Sequence, residues 1–162
     1  MNADDFRHLY DYHFTINRKI WEQCIVPLTD EQFTQKVDYG VGSIHHHVVH
    51  LMSVDARWFS GLREVEDPGA LNPADFATRA LIREKWDLVE LDMRTYLAGL
   101  RDEMLQTQPF LEADEDPIKL WQVLLHVVNH STDHRAQLLR LLNQAGITTF
   151  AQDYAYFIYG QM

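Results

Sequence analysis

Nine histidines stand among 162 residues, and two of them are spaced to act together. His130 and His134 close the frame His130-Ser131-Thr132-Asp133-His134. Four residues apart on a helix, both imidazoles share one face and can converge on one metal ion. His126-Val127-Val128-Asn129-His130 repeats the frame one turn earlier, and a second group, His45-His46-His47 with His50, lies far upstream. The chemistry these residue types offer is ligation of a divalent ion by neutral imidazole. Zinc and nickel both suit it, and the affinity order alone does not choose between them.

The neighbouring residues exclude several kinds of site. Neither frame has Glu directly after its first His, so the general base of the zincin proteases is missing. No histidine has Glu three residues before it, which removes the paired Glu-x-x-His of di-iron bundles. There is no Gly-rich phosphate loop and no Gly-x-Ser-x-Gly. A bis-histidine haem bundle stays open, but it leaves the third histidine unexplained. For each histidine taken singly, the bland alternative is a hydrogen-bonded core residue, and His8, His13 and His45 are assigned to it as solvated or structural.

The elements that must position these residues are helices. Pro27, the Gly40/Gly42 pair, Asp67-Pro68-Gly69, Asn72-Pro73, Pro109, Asp116-Pro117 and Gly146 divide the chain. Between them lie four long stretches that suit helices and exceed strand length. Thr29 to Gln32 has the capping-box spacing of a short extra helix. Asp116 followed by Pro117 reads as a helix start and Gly146 as a helix stop. Ile82, Trp86, Val89, Met93, Tyr96, Leu100 and Met104 step by threes and fours along the third stretch. The fold expected is all-α: a four-helix bundle with short additional helices, one of them near Asp153 to Phe157, in one domain spanning 1–162.

On a helical wheel the fourth stretch buries Leu120, Val123, Leu124, Val127, Leu138, Leu141, Leu142 and Ala145. His134 falls within that arc, His130 about 20° beyond its edge, and His126 further round. In the second stretch Ile44, Val48, Leu51, Val54, Trp58 and Leu62 set the arc. His47 lies inside it and His50 just off its edge, so periodicity favours His47 over His50. Asp55 is central to the same arc, and a carboxylate facing a core needs a partner.

Composition narrows the class of function. With 14 Lys plus Arg against 24 Asp plus Glu, the net charge is -10, which argues against nucleic acid and anionic lipid as partners. No apolar run approaches the length of a membrane span. The N-terminus lacks a signal-peptide pattern, and one cysteine, Cys24, fits a reducing cytoplasm without disulfides or a cysteine-ligated zinc site.

Two segments together resemble a known family. Gly42-Ser43-Ile44, His50-Leu51 and Val54-Asp55-Ala56-Arg57-Trp58 look like the second-helix signature of the DinB/YfiT-like proteins. Asn129-His130-Ser131-Thr132-Asp133-His134-Arg135-Ala136-Gln137 looks like their fourth-helix signature. Asn17, Leu142 to Gly146 and the tail from Asp153 to Ile158 fit the same pattern. The chain departs from it where the family often has His at the position of Asp133 and Gly at that of Ala136.

The resemblance implies a four-helix bundle holding a divalent metal ion through His50, His130 and His134. It thereby takes His50 where periodicity favours His47; an under-wound bundle helix tolerates that offset. It also implies a metal-dependent hydrolase, or a transferase or isomerase using a low-molecular-weight thiol, and a homodimer. Three imidazoles leave positions open, as in catalytic rather than structural sites, where an ion can acidify water or a thiol. Asp55, about one turn beyond His50, is the candidate for orienting an imidazole or accepting a proton. Its competing role is an ion pair with Arg57 or Arg135. Asn17 and Tyr12 are candidate pocket residues. The expectation is an enzyme acting on a small electrophilic substrate; the alternative is a non-catalytic metal-binding stress-response bundle.

Overall fold

The computed structural model of the protein describes residues 1–110 and 117–161. Four long helices form the body: α1 (Ala3–Ile20), α3 (Ile44–Leu62), α4 (Arg79–Ala98) and α5 (Leu120–Gln144), with short helices α2 (Asp30–Thr34) and α6 (Tyr154–Ile158). No strand occurs among the described residues, so the expected all-α bundle is what the chain forms.

Local chemistry sets most of the helix ends. Asn2 caps α1 and exchanges hydrogen bonds with Asp5 at 2.8 and 2.9 Å. A π-helical turn, Trp21–Ile25, then carries α1 to the break at Pro27. Thr29 and Gln32 form the expected capping box at α2. Ser43 caps α3 by accepting from the His46 backbone N–H at 3.1 Å. Gly146, at φ 87, ends α5 in a Schellman turn: its N–H donates to Asn143 and that of Ile147 to Leu142.

Two boundaries differ from the sequence reading. Asp116, expected to cap the last long helix, lies outside the described residues, and Pro117 precedes the helix instead of opening it. The helix starts at Leu120, where the Gln122 side chain accepts from the Lys119 backbone N–H at 2.8 Å. The third apolar stripe continues past its helix: α4 stops at Ala98, Leu100 is buried just beyond, and Met104 lies in a 3-10 turn, Asp102–Gln106. The stripe persists because the chain folds back against the same core after Gly99.

Phe6, Tyr10, Ile16 and Ile20 of α1 pack with Val48, Leu51, Met52 and Phe59 of α3, Ile82 and Met93 of α4, and Val123, Val127 and Leu138 of α5. Each such side chain contributes about 1.5–3 kcal/mol on burial, so this core is the main source of stability. Where α1, α3 and α5 meet, the packing turns polar. His13, Asn17, Asp55, Ser131 and Arg135 are all buried there. No described helix is long and apolar enough to cross a membrane.

Candidate metal centre

One turn separates His130 from His134 on α5, and His50 faces them from α3. Ring centroids stand 4.4 Å apart for His130 and His134, 4.3 Å for His50 and His134, and 5.4 Å for His50 and His130. One nitrogen from each of the three rings falls within 4.8 Å of the other two. The Nε2 atoms of His50 and His134 are 3.3 Å apart. Two imidazole ligands at zinc distance and a tetrahedral angle stand about 3.3–3.4 Å apart, so this pair already has the spacing of a shared ion. The other separations need closing by up to about 1.5 Å, within the reach of side-chain rotation.

The three rings sit at the rim of the core, half-buried. Burial pushes the His50 imidazole down to about 4, assisted by the neighbouring His134, His130 and His47 rings. Burial also lowers His130 and His134, against the opposing pull of Asp133 and, for His130, Asp55. All three are thereby held neutral at ordinary pH, the form that binds a metal. The Nδ1 atoms of His130 and His134 are buried without hydrogen-bond partners. These donors fit a three-imidazole site for a divalent ion.

The remaining histidines separate by environment. His47 is fully buried, as the wheel indicates, but its ring centroid is 6.4 Å from that of His134 and it is not one of the three converging histidines. Its Nδ1 donates to the Ser43 carbonyl at 3.1 Å, and its Nε2, buried and unpartnered, faces Gly40. His45 bonds the Phe76 carbonyl at 2.9 Å, a structural role. His8 is exposed against Tyr154 and Phe157, and His126 lies beside Trp58.

His13 takes the structural role assigned to it, as a hydrogen-bonded core residue, but its partners are not legible in the sequence. It is fully buried, with Nε2 3.1 Å from Asp55 Oδ2 and Nδ1 3.2 Å from Arg135 Nη1. A guanidinium only donates, so Nδ1 is the accepting nitrogen and Nε2–H donates to the carboxylate. Arg135, the largest fully buried side chain, also donates to Asn17 Oδ1 at 3.2 Å, Gln152 Oε1 at 3.0 Å and Thr132 Oγ1 at 3.0 Å. The inward carboxylate at Asp55 is therefore met by His13, with Arg135 behind the ring. Arg57 instead reaches Asp67. Asn17 and Tyr12, expected as pocket residues, lie on the Arg135 side: the Tyr12 hydroxyl donates to the Gln152 carbonyl and its ring faces the guanidinium. The wheel hid this network because Arg135 occupies a core position that a charged residue does not advertise.

A four-helix bundle with an imidazole cluster between its second and fourth long helices defines the class of protein. The sequence matches the DinB family across residues 1–161, and the chain belongs to that family. It is similar to Protein DinB of Bacillus subtilis (strain 168), at 29% identity over 160 residues that cover 93% of this chain and 92% of that one. A crystal structure of a DinB-like protein from Bacillus cereus ATCC 10987 shares the fold. There the TM-score is 0.71, the identity 20%, and the coverage 93% of this chain and 97% of the other.

Proposed function

We propose that the protein binds one divalent ion per chain through His50, His130 and His134, and that it is a metal-dependent enzyme acting on a small electrophilic substrate. The convergence of three imidazole nitrogens within 4.8 Å, from two helices, carries this reading. Zinc or nickel fits the donor set. A bound ion supplies Lewis acidity toward a carbonyl, water or a low-molecular-weight thiol, the chemistry of hydrolysis or of thiol transfer.

The residues of the chain do the rest. Half-burial of the three rings keeps one side of the cluster open to a small molecule, unlike a closed structural site. Asp55 acts as a positioning residue. Its Oδ1 is buried without a partner, as is Nδ1 of His130, and its charge is close enough to raise the His130 imidazole against the effect of burial. In this reading the carboxylate orients the ring once an ion is bound, by accepting the proton on Nδ1.

Metal analysis of the purified protein tests the centre. The expected result is about one ion per chain, lost in His50→Ala, His130→Ala and His134→Ala and kept in His47→Ala. Undiminished metal in both α5 variants removes the site. Screening the loaded protein against ester, amide and thiol-accepting electrophiles then tests the activity; turnover by wild type that disappears with the metal is the supporting outcome.

A further inference from the structure

Beyond His50, the described residues leave the outer side of α3 partly uncovered. Val54 and Trp58 stand one and two turns further along, on the apolar arc of the sequence, yet both remain half-buried while Asp55 and Phe59 are buried. They face a cavity of about 280 Å³ whose other walls, among the described residues, are Arg57, Gly61, Asp67 and Phe110. Gly61 makes the wall possible: a Cβ there would lie 2.6 Å from Phe110 Cε1, so only glycine lets that ring close against the helix. Trp58 and Phe110 meet edge-on at 5.7 Å. The cavity adjoins the histidines through His126, whose ring is 5.1 Å from Trp58 and 5.9 Å from His130.

Among the described residues, the charges lining this cavity are one of each sign. Arg57 Nε and Nη2 lie 3.4 Å from the two carboxylate oxygens of Asp67, longer than the 2.7–2.9 Å usual for a charge-assisted hydrogen bond. Both side chains are about half exposed, at 50% and 55%, so the pair is weakly held. Asp67 is the fixed member, since its Oδ1 also accepts from the Gly69 backbone N–H at 2.8 Å. A ligand carrying only a carboxylate could pair with Arg57 but would then sit beside Asp67. A ligand carrying only an ammonium faces the converse. A zwitterion satisfies both, and it enters the field of a chain with net charge -10 without a net charge of its own.

We infer that this cavity binds the zwitterionic headgroup of an α-amino acid, its carboxylate on Arg57 and its ammonium on Asp67, with an apolar side chain against Trp58 and Phe110. The headgroup lies about 10 Å along α3 from His50, and a side chain against Trp58 meets the edge of the histidine cluster where the Trp58 and His126 rings stand 5.1 Å apart. That last step, which makes the amino acid a substrate class, rests on the metal-centre reading; binding of the headgroup does not.

Titration of L-phenylalanine into ¹⁵N-labelled protein, followed at the Trp58 indole N–H, tests the inference. The expected result is a saturable shift in the millimolar range. 3-Phenylpropanoate, which lacks the ammonium, and phenethylamine, which lacks the carboxylate, should each bind at least about tenfold more weakly. Arg57→Gln should reduce phenylalanine to the level of phenethylamine, and Asp67→Asn to that of phenylpropanoate. Both residues are on the surface, and circular dichroism checks that both variants fold. No saturable shift at about 10 mM ligand, or equal binding of all three compounds, overturns the proposal. Repeating the titration on His134→Ala separates the two readings. Binding retained there without metal supports the headgroup site on its own, and absence of binding in a wild type that holds its ion removes the headgroup site alone.

Discussion

Asp55 on α3 and Arg135 on α5 are joined through opposite nitrogens of one imidazole, His13 on α1, by contacts of 3.1 and 3.2 Å in a region closed to solvent. Three of the four long helices are thus linked by a carboxylate, a ring and a guanidinium whose formal charges cancel. Burial lowers the Arg135 guanidinium from its usual range, while Tyr12 and Asp55 oppose the shift. Removing one charge leaves the other uncompensated in the core, a loss of about 3–5 kcal/mol for a buried pair. Asp55→Ala and Arg135→Ala should each lower the unfolding free energy by that amount in urea denaturation. A loss below about 1 kcal/mol in both variants would show that the charges are compensated elsewhere.

Acid should weaken the metal-free fold through the histidine cluster. His50 is lowered to about 4 and His130 and His134 are lowered as well, in each case by burial first. The unfolded chain therefore takes up protons at these positions near the ordinary value of about 6.5, before the folded chain does. Their contribution to stability is complete above that pH and is lost as the pH falls toward about 4. Chelator-treated protein should show a lower urea midpoint at about pH 5 than at about pH 7. His50→Asn should reduce the difference, which separates the ring from carboxylates titrating in the same range. An identical pH dependence in the variant would exclude His50 as a source.

Gly40 is required where it stands. Its φ is +58, and a Cβ there would lie 2.7 Å from both His47 Nε2 and Gln137 Oε1. Gly40→Ala combines the left-handed backbone penalty with displacement of a buried imidazole, an expected cost of at least about 1–2 kcal/mol. Thermal denaturation measures it, and a melting temperature equal to wild type would mean that the turn before α3 rearranges freely.

Much of this arrangement is written locally in the chain. The stripes of α4 and α5, the capping box at Thr29 and the stop at Gly146 each depend on residues a few positions apart, so periodicity and turn chemistry reveal them. The i,i+4 pair His130 and His134 is legible for the same reason. His50 is not, because the wheel places His47 deeper; His47 is indeed the buried one, and the rim position of His50 is what brings it to the other two rings. The inward position of Asp55 can be read, and Arg135 stands among its candidate partners, but His13 between the two cannot be read. His13 lies 42 residues away in sequence and Arg135 a further long step, 122 residues from His13. No local pattern encodes a contact between helices whose crossing is set by the whole core.

The positioning role of Asp55 can be separated from its charge balance with Arg135. Oδ2 accepts from His13, while Oδ1 and the Nδ1 of His130 are both buried without partners. An imidazole that ligates through Nε2 carries its proton on Nδ1 and needs an acceptor there. The proposed role of Asp55 is that Oδ1, an unpaired buried acceptor whose charge reaches that ring, serves as this acceptor when an ion is bound. Asn at position 55 has a single oxygen. If it accepts from His13, its NH₂ is turned toward the His130 N–H, donor against donor. Asp55→Asn should therefore weaken divalent-ion affinity about 10- to 100-fold in competition with a chromophoric chelator. Arg135→Gln disturbs the same network from the far side of His13 while leaving His130 and Oδ1 untouched. It should lower stability with affinity near that of wild type. Equal losses of affinity in both variants would assign Asp55 a purely structural role; a loss confined to Asp55→Asn identifies the carboxylate as the group that orients His130.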